Sequence, residues 1–343
     1  MNRPTKMIPT LATTTTATAA AARILARTSP RRSLHVLHSL ADLRAYRSSL
    51  LAANQSLGFV PTMGALHAGH LDLVAHASKH ASKVITSIFV NPAQFAPHED
   101  LDQYPRTLAN DIDQLKAQGV ADAVWAPSVN DMYPRGISTH VREQRGTFVS
   151  VEGLSHQLEG SVRPHFFRGV ATVVTKLVNA VQPDVVVFGQ KDAQQCCVVR
   201  AMLEDLLVNT KMVVAPTVRD HADGLALSSR NRYLSPEERA LAPALAAGLM
   251  SAQALFEREG VTSAQRLVDQ VANIIREVDP SGEKIKVEYI KVTTRELDEV
   301  VGDIKVQGNP DSDKSGGTRL IDNVDTCATT AHVRHPSTQS LSM

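Results

Sequence analysis

The alternation of short apolar runs with longer helical patterns predicts the fold of the central part of this chain. Between residues 57 and 214, β-branched and apolar runs alternate with stretches whose apolar residues recur at helical spacing. The predicted strands are Gly58–Val60, Val84–Val90, Asp122–Trp125, Asp184–Phe188 and Lys211–Val214. The predicted helices are Leu71–His80, Leu108–Gln118, Gly169–Val181 and Asp192–Leu206. Buried strands joined by crossover helices form a parallel sheet covered on both faces, so we predict an α/β fold with a Rossmann-like doubly wound parallel sheet.

The pattern changes after Pro216. Residues 235–238, Ser-Pro-Glu-Glu, form a capping box with proline at the first helical position, and they predict a long helix that ends near Gly260. A second helix is predicted over residues 264–277, and alternating apolar and charged residues predict a half-exposed strand over 284–291. We therefore expect a smaller α+β C-terminal domain. The predicted organisation is an N-terminal extension over residues 1–35, a Rossmann-like domain over 36–216, the small domain over 217–325 and a disordered tail over 326–343.

Composition excludes several classes of partner. The chain has 343 residues, of which 43% are hydrophobic and 21% charged, and its formal net charge is +1, which provides no field to attract nucleic acid or an acidic membrane. It has no run of eighteen apolar residues to span a bilayer. Three cysteines, Cys196, Cys197 and Cys327, are too few for a disulfide framework and fit a reducing compartment. We expect small-molecule partners, with no nucleic acid and no membrane.

The N-terminal residues have a different composition. From Met1 to Ala41 there is no Asp or Glu, while arginine and lysine are interspersed among threonine, alanine and serine. This composition is typical of a mitochondrial presequence. The alternatives are a disordered low-complexity tail and a start site assigned too far upstream. The expected location is therefore cytoplasmic or mitochondrial.

The segment from Gly58 to His70, GFVPTMGALHAGH, carries the strongest chemical signal. It runs from a predicted strand through a turn into a predicted helix, and Gly64 and Gly69 let a phosphate approach the backbone. The N–H groups and the dipole at a helix N-terminus favour an anion, and His67 and His70 lie one turn apart where both rings can donate to it. The pattern favours a phosphate site. A metal pair and two histidines that only cap a turn remain alternatives.

Three further segments lie at or near the same predicted edge of the sheet. Asn91 and Gln94 follow the second strand, and neutral amides there suit a substrate with hydroxyl and carboxylate oxygens. The run Gly189 to Gln195 follows the fourth strand, where Lys191 can meet phosphate charge and Gln194 or Gln195 can face Gln94. Leu227 to Arg230 can form a mobile phosphate clamp. Each of these is weak alone, since Asn-Pro also begins turns and Ser-Ser-Arg-Asn is common in surface loops.

Taken together, these segments resemble the pantothenate synthetase family of the His-x-Gly-His nucleotidyltransferase superfamily. The resemblance covers about residues 57–234 through six collinear motifs: PTMGALHAGH, SIFVNPAQF, EDLDQYPRT, FRGVATVV, QPDVVVFGQKDAQQ and DGLALSSRN. It implies an ATP-dependent ligase. In such enzymes the carboxylate of pantoate attacks the α-phosphorus of MgATP to form pantoyl adenylate and pyrophosphate, and β-alanine then displaces AMP. The family also implies a homodimer.

The resemblance carries site roles onto this chain by motif position. The implied catalytic residues are His70, which the family treats as the catalytic acid, with His67, Lys191 and Arg230. Gln94 and Gln195 resemble the residues that hold pantoate. The implied ATP-binding residues are Met63, Gly64, Ala65, Leu66, His67, Ala68, Gly69, His70, Gly189, Gln190, Lys191, Asp192, Val218, Leu227, Ser228, Ser229 and Arg230. ATP is a substrate, and Mg²⁺ accompanies it.

The chain departs from the family pattern at three places. The usual order His-Phe-Arg-Gly is replaced by His-Phe-Phe-Arg-Gly at residues 165–169, where Arg168 is at least as consistent with a structural role as with a catalytic one. Asn110 stands where an acidic residue is common, so we assign no protein ligand to magnesium. The apolar strand that normally precedes the motif at 318–323 is missing, and the Gly/Asp/Ser-rich segment 302–317 stands in its place, which would expose a sheet edge.

Two alternatives to the ligase remain open. Another nucleotidyltransferase of the same superfamily would leave a nucleotide on its product, although the paired amides Gln94 and Gln195 favour the ligase. The second alternative is a catalytically silent homologue with a decayed C-terminal domain. The retention of four residues argues against it: His67, His70, Lys191 and Arg230.

Overall fold

A sheet of six parallel strands forms the framework of the larger part of the molecule. The computed structural model of the chain describes residues 33–294 and 296–304 and the backbone of 328–334. The strands of this sheet are β1 (His35–Leu37), β2 (Leu57–Thr62), β3 (Lys83–Ile88), β4 (Ala123–Trp125), β5 (Val185–Gly189) and β6 (Lys211–Ala215). Their order is β1-β4-β3-β2-β5-β6, and each neighbouring pair is parallel.

Helices join these strands. They are α1 (Leu40–Ala52), α2 (Ala68–Ser78), α3 (Leu108–Gln118), α4 (Val129–Met132), α5 (Glu159–Val162), α6 (Phe166–Val181) and α7 (Ala193–Asp205). Consecutive strand residues enter opposite hydrophobic layers, because side chains alternate across a sheet: Phe59 packs into one layer and Val60 into the other. The predicted α/β doubly wound parallel sheet is confirmed.

The structure adds elements that the apolar pattern did not predict. Strand β1 is three residues long and begins at His35, the last residue of the predicted N-terminal extension. Helix α1 follows it, with a capping box between Ser39 and Asp42. Its weak apolar periodicity explains why it was missed. Helix α2 begins at Ala68, earlier than predicted, because His67 occupies the N-cap position.

The C-terminal part contains α8 (Pro236–Leu241), α9 (Pro243–Glu259) and α10 (Ala264–Val278), followed by β7 (Lys286–Thr293) and β8 (Ala328–Arg334). The predicted capping box at Ser235 and the predicted helix end at Gly260 are confirmed, but the helix is interrupted at Ala242, because Pro243 lacks the N–H that would continue α8. Residues 236–259 are long and apolar enough to cross a membrane by composition alone. However, Leu249 on α9 packs with Leu267 and Val271 on α10, as in the core of a small domain.

The predicted disorder of residues 326–343 is wrong for 328–334. Strand β8 pairs antiparallel with β7, with a register shift between Val287 and Tyr289. The partly exposed β7 needs a partner for its backbone groups, and the segment supplies it. The described residues all fall within one compact unit, so the boundary predicted at residue 216 stays a prediction.

Several predictions lie outside the described residues. These are the presequence-like residues 1–32 and most of the predicted loop at 302–317, together with the motif at 318–323. The described beginning of that loop packs against the C-terminal helices, because Ile304 is buried in the cluster formed by α9 and α10 and Asp303 forms a β-bridge with Ser263.

Candidate active site

The predicted site segments meet where the direction of strand order reverses. Strand β2 lies between β3 and β5, and the loops after these three strands leave from the same edge of the sheet. The loop after β2 contains His67, the turn after β3 contains Gln94, and the turn after β5 contains Lys191. Such a reversal opens a crevice at the carboxyl ends of the strands.

A buried carboxylate holds the loop after β2 in its unusual shape. Gly64 and Ala65 both have positive φ, 82° and 50°. Asp111 on α3 is fully buried, and its Oδ2 and Oδ1 accept the N–H groups of Ala65 and Leu66 at 3.0 and 2.8 Å. The hydroxyl of Thr107 donates to the same carboxylate at 3.2 Å. These bonds satisfy the buried charge and offset the strain at Ala65.

The two histidines of the motif are held by backbone N–H groups. The Nδ1 atom of His67 accepts the N–H of Gly69 at 3.1 Å, and the Nδ1 atom of His70 accepts the N–H of His67 at 3.4 Å. The two ring centroids are 4.1 Å apart. Because a backbone N–H can only donate, each Nδ1 is an acceptor and each neutral ring carries its hydrogen on Nε2. The alternative that these histidines only cap a turn therefore accounts for the Nδ1 atom of each ring. The Nε2–H of each ring remains as a hydrogen-bond donor.

Both imidazoles are neutral at pH 7. Burial lowers the pKa of His67 to about 4, and the positive charges of Lys191 and Arg232 contribute to the shift. Burial also lowers the pKa of His70 to about 3, with the neighbouring His67 as the next cause. An anion between these groups would raise both pKa values. In this state the Nε2–H of His70 can donate a hydrogen bond without the ring carrying a positive charge, and the predicted role of His70 as an acid stays a prediction.

The basic groups of the site come from two segments. The Nζ atom of Lys191 lies 3.2 Å from Oδ1 of Asp192, just after β5. We call residues 63–70, the loop after β2 with the first turn of α2, the histidine loop. The segment 227–230 lies beside it, because a Cβ placed on Gly69 would be 3.8 Å from the Cβ of Leu227. Sequence reasoning missed Arg232, whose charge acts on the ring of His67.

Two contacts orient this clamp segment. The N–H of Leu227 donates to the carbonyl oxygen of Val218 at 2.9 Å, which joins the two stretches predicted to bind ATP. Arg230 is half exposed, and its Nη2 lies 3.7 Å from Oδ1 of Asp100. In this arrangement Arg230 contacts an acidic loop, and its predicted contact with phosphate stays a prediction.

The two predicted substrate amides have different surroundings. Gln94 is buried, and its Nε2 lies 3.1 Å from Sδ of Met63 in the histidine loop. Gln195 on α7 is half-buried, and its side-chain amide makes no hydrogen bond within the described part of the chain. Gln194 points away from the crevice, since its amide bonds Leu154 O, Gln157 O and Glu159 N at 3.0, 2.8 and 3.1 Å. Of the two glutamines on α7, Gln195 is the one available to a ligand.

The first turn of α6 and the segment before it contribute structural contacts. The guanidinium of Arg168 stacks on the ring of Phe148 at 3.8 Å and donates to Oε1 of Gln144. Arg163 forms a close ion pair with Glu99, with Nη2 and Oε2 2.6 Å apart. A cavity of about 410 Å³ lined in part by Arg142 and Arg163 adjoins Gln94. The structural interpretation of Arg168 therefore accounts for its observed contacts.

The neutral state of His70 predicts a pH dependence of stability. Its pKa is about 3 in the folded chain against 6.5 for a free histidine, so the unfolded chain binds more protons between these values and stability falls as the pH falls through 6.5. We expect wild-type protein to lose about 1 to 2 kcal/mol more unfolding free energy than His70→Asn between pH 7.5 and pH 5.0. Urea unfolding at both pH values measures this, with a substitution at the exposed His80 as control. Equal losses in wild type and His70→Asn would contradict it.

The chain is similar along most of its length to proteins of one family. The family model for pantoate-beta-alanine ligase matches residues 35–325. The pantoate-beta-alanine ligase of Saccharomyces cerevisiae is 44% identical over 274 residues, which cover 78% of this chain and 88% of that protein. A crystal structure of pantothenate synthetase from Thermus thermophilus superposes with a TM-score of 0.73 at 37% identity, covering 88% of this chain and 95% of the other.

A third relative carries ligands. The pantoate-beta-alanine ligase of Francisella tularensis, described as complexed with beta-gamma ATP and beta-alanine, has a TM-score of 0.62 and 32% identity, and the match covers 76% of this chain and 89% of that one. The family model and the identity to full-length relatives agree with the motifs of the crevice. This chain belongs to the pantoate-beta-alanine ligase family.

Proposed function

We propose that this chain is an ATP-dependent ligase that condenses pantoate with β-alanine to form pantothenate, releasing AMP and pyrophosphate. The observation that carries the proposal is the meeting of two kinds of neutral donor at one edge of the sheet. The Nε2–H groups of His67 and His70 suit phosphate oxygens, and the amide of Gln94 suits the oxygens of a hydroxy acid. Family membership and the Francisella relative bound to ATP and β-alanine support the same reaction.

The proposed reaction has two steps. The carboxylate oxygen of pantoate attacks the α-phosphorus of ATP, forming a mixed anhydride while the bond to pyrophosphate breaks. The amine of β-alanine then attacks the acyl carbon, loses a proton and expels AMP. Charge accumulates on the α-phosphoryl oxygens and on pyrophosphate in the first step, so fixed donors and cations there lower its barrier. We assign this stabilisation to Lys191, Arg232 and the two imidazoles, and the electrostatic action of both cations on His67 supports the assignment.

Magnesium is part of the proposal as a companion of ATP. In the described residues, no group of three or more His, Cys, Asp or Glu side chains is placed to hold a metal ion. Both oxygens of Asp111 already accept backbone N–H groups. These described residues fit a Mg²⁺ ion that is held mainly by the triphosphate, since Mg²⁺ commonly keeps several waters and binds through substrate phosphates. When bound it would neutralise phosphate charge.

The two alternatives predict different products. Another nucleotidyltransferase would retain the nucleotide on its product, and a silent homologue would release nothing. The burial of Gln94 beside the histidine loop favours the ligase, because a second substrate with acceptor oxygens is needed to use its amide.

Dependence of AMP release on each substrate tests the proposal. We expect the purified full-length chain to release AMP only when MgATP, pantoate and β-alanine are all present, in an amount equal to the pantothenate formed. Chromatography of the nucleotides and mass spectrometry of the acid measure both products. Pyrophosphate release without AMP would favour the other nucleotidyltransferase, and ATP binding without product would favour the silent homologue.

The predicted role of Gln195 gives a second test. We expect Gln195→Ala to raise the KM for pantoate about 5- to 10-fold and the KM for ATP less than twofold, because the variant loses a hydrogen-bond donor to pantoate only. Steady-state kinetics with each substrate varied in turn measure the change. The matched control is Gln265→Ala, which removes an amide from the surface of α10 and should alter neither value. An equal rise in both KM values in Gln195→Ala would contradict the assignment.

Assembly and location are also part of the proposal. The proposed homodimer follows from the family resemblance. Mitochondrial import rests on the acid-free, arginine-rich composition of residues 1–41. We expect these residues, fused to a fluorescent protein, to direct it to mitochondria, and replacement of their arginines by glutamine to abolish import. A fusion that stays in the cytoplasm would favour the cytoplasmic location.

A further inference from the structure

The turn that carries Gln94 contains a buried polar network whose donors and acceptors can be assigned. Asn91 begins this turn and is 1% exposed. Its Oδ1 accepts the N–H of Ala93 at 3.3 Å, and its Nδ2 donates to the carbonyl oxygen of Gly169 at 3.2 Å. A backbone N–H can only donate and a carbonyl oxygen can only accept, so the orientation of the Asn91 amide is determined by the main chain.

The orientation of Asn91 determines that of Gln94. The Nδ2 atom of Asn91 also donates to Oε1 of Gln94 at 3.0 Å. Because this donor needs an acceptor, the Gln94 oxygen must face Asn91, and its Nε2 must face Met63 and the crevice. Gln94 therefore presents a donor to the ligand. If its amide rotated by half a turn, it would present an acceptor and repel a carboxylate.

A third group completes the network from a distant part of the chain. The hydroxyl of Tyr133, just after α4, donates to Oδ1 of Asn91 at 2.7 Å, the shortest of the bonds to that oxygen. Tyr133 is 3% exposed, and burial raises the pKa of its hydroxyl, which stays a neutral donor. Lys176 fixes the ring, since its Nζ lies 4.1 Å from the ring centroid and donates to the carbonyl oxygen of Met132 at 2.7 Å.

The backbone leaves little room for this network to rearrange. Gly169 opens the buried part of α6 directly against the turn, and a Cβ at this position would lie 2.3 Å from the carbonyl oxygen of Ala93. The helix and the turn are therefore in backbone contact, and Asn91 bridges them. If one hydrogen bond to Asn91 is lost, the backbone cannot shift to compensate, and the side chains of Asn91 and Gln94 must reorient instead.

We propose that Tyr133 is a positioning residue for the hydroxy-acid substrate, acting through Asn91 to hold the Gln94 amide with its donor toward the site. This inference rests on the proposed function, because it assigns the donor of Gln94 to pantoate. Tyr133 itself does not contact the substrate. Its effect should therefore fall on the binding of pantoate and spare the binding of ATP, which is held by the neighbouring loop.

The test is removal of one oxygen atom. Tyr133→Phe keeps the ring and its contact with Lys176 but leaves Oδ1 of Asn91 with the longer bond from Ala93. We expect the KM for pantoate to rise about 3- to 10-fold, the effect of one lost hydrogen bond, while the KM for ATP changes less than twofold. The matched control is Tyr46→Phe, which removes a hydroxyl from a ring packed on the same hydrophobic layer and should alter neither KM.

A double-mutant cycle separates positioning from general destabilisation. If Tyr133 acts through Gln94, the effect of Tyr133→Phe on the KM for pantoate should fall below twofold in a Gln94→Ala background. An undiminished effect there, an equal rise of both KM values, or an unchanged KM for pantoate would overturn the inference. If Gln94→Ala is too slow to assay, pantoate binding by calorimetry provides the same comparison. Wild-type protein that forms no pantothenate would refute the proposed function, whereas active wild type with an unaltered Tyr133→Phe variant would refute only the role of Tyr133.

Discussion

The position of β2 between β3 and β5 is the constraint on which the rest of this structure depends. Chain segments far apart in sequence reach the same point only because these parallel strands end at one edge of the sheet. The histidine loop leaves β2, the Gln94 turn leaves β3, and Lys191 follows β5. Burial of alternate residues in two hydrophobic layers fixes the register of these strands, since a slip by one residue would exchange the layers.

The loops at this edge are held by buried polar side chains that are not themselves placed to react. Asp111 binds the two N–H groups of the histidine loop, and Asn91 with Tyr133 holds the Gln94 turn. Gln194 holds residues 154–159 by three hydrogen bonds. Apolar packing alone would leave the direction of a loop poorly determined, whereas an unpaired buried polar group costs about 1 to 3 kcal/mol. This cost makes one conformation of each loop much more favourable than its alternative conformations.

This division between framework and anchors explains what could be predicted from the sequence. The central strands and helices follow from apolar periodicity, and His67 and Gln94 stand out because glycine, proline and adjacent strands mark their positions. Asp111 and Tyr133 have no local signal, because their partners lie 45 or 46 and 42 residues away in sequence. The interruption at Pro243 has a local signal in the proline itself, but it lies within an apolar helical pattern, and β8 depends on pairing with β7, which no local pattern records.

The neutrality of the donors agrees with the chemistry proposed for the crevice. A carboxylate that must attack phosphorus keeps its reactivity best if its binding site does not neutralise its charge, and an amide donor such as Gln94 orients it without doing so. The cations Lys191 and Arg232 act instead on His67, one of the proposed phosphate donors. Because burial disfavours the charged form of both imidazoles and an anion would favour it, the binding of a triphosphate and the protonation of these rings are thermodynamically coupled. Lys191 and Arg232 supply the positive charge of the site when no substrate is bound.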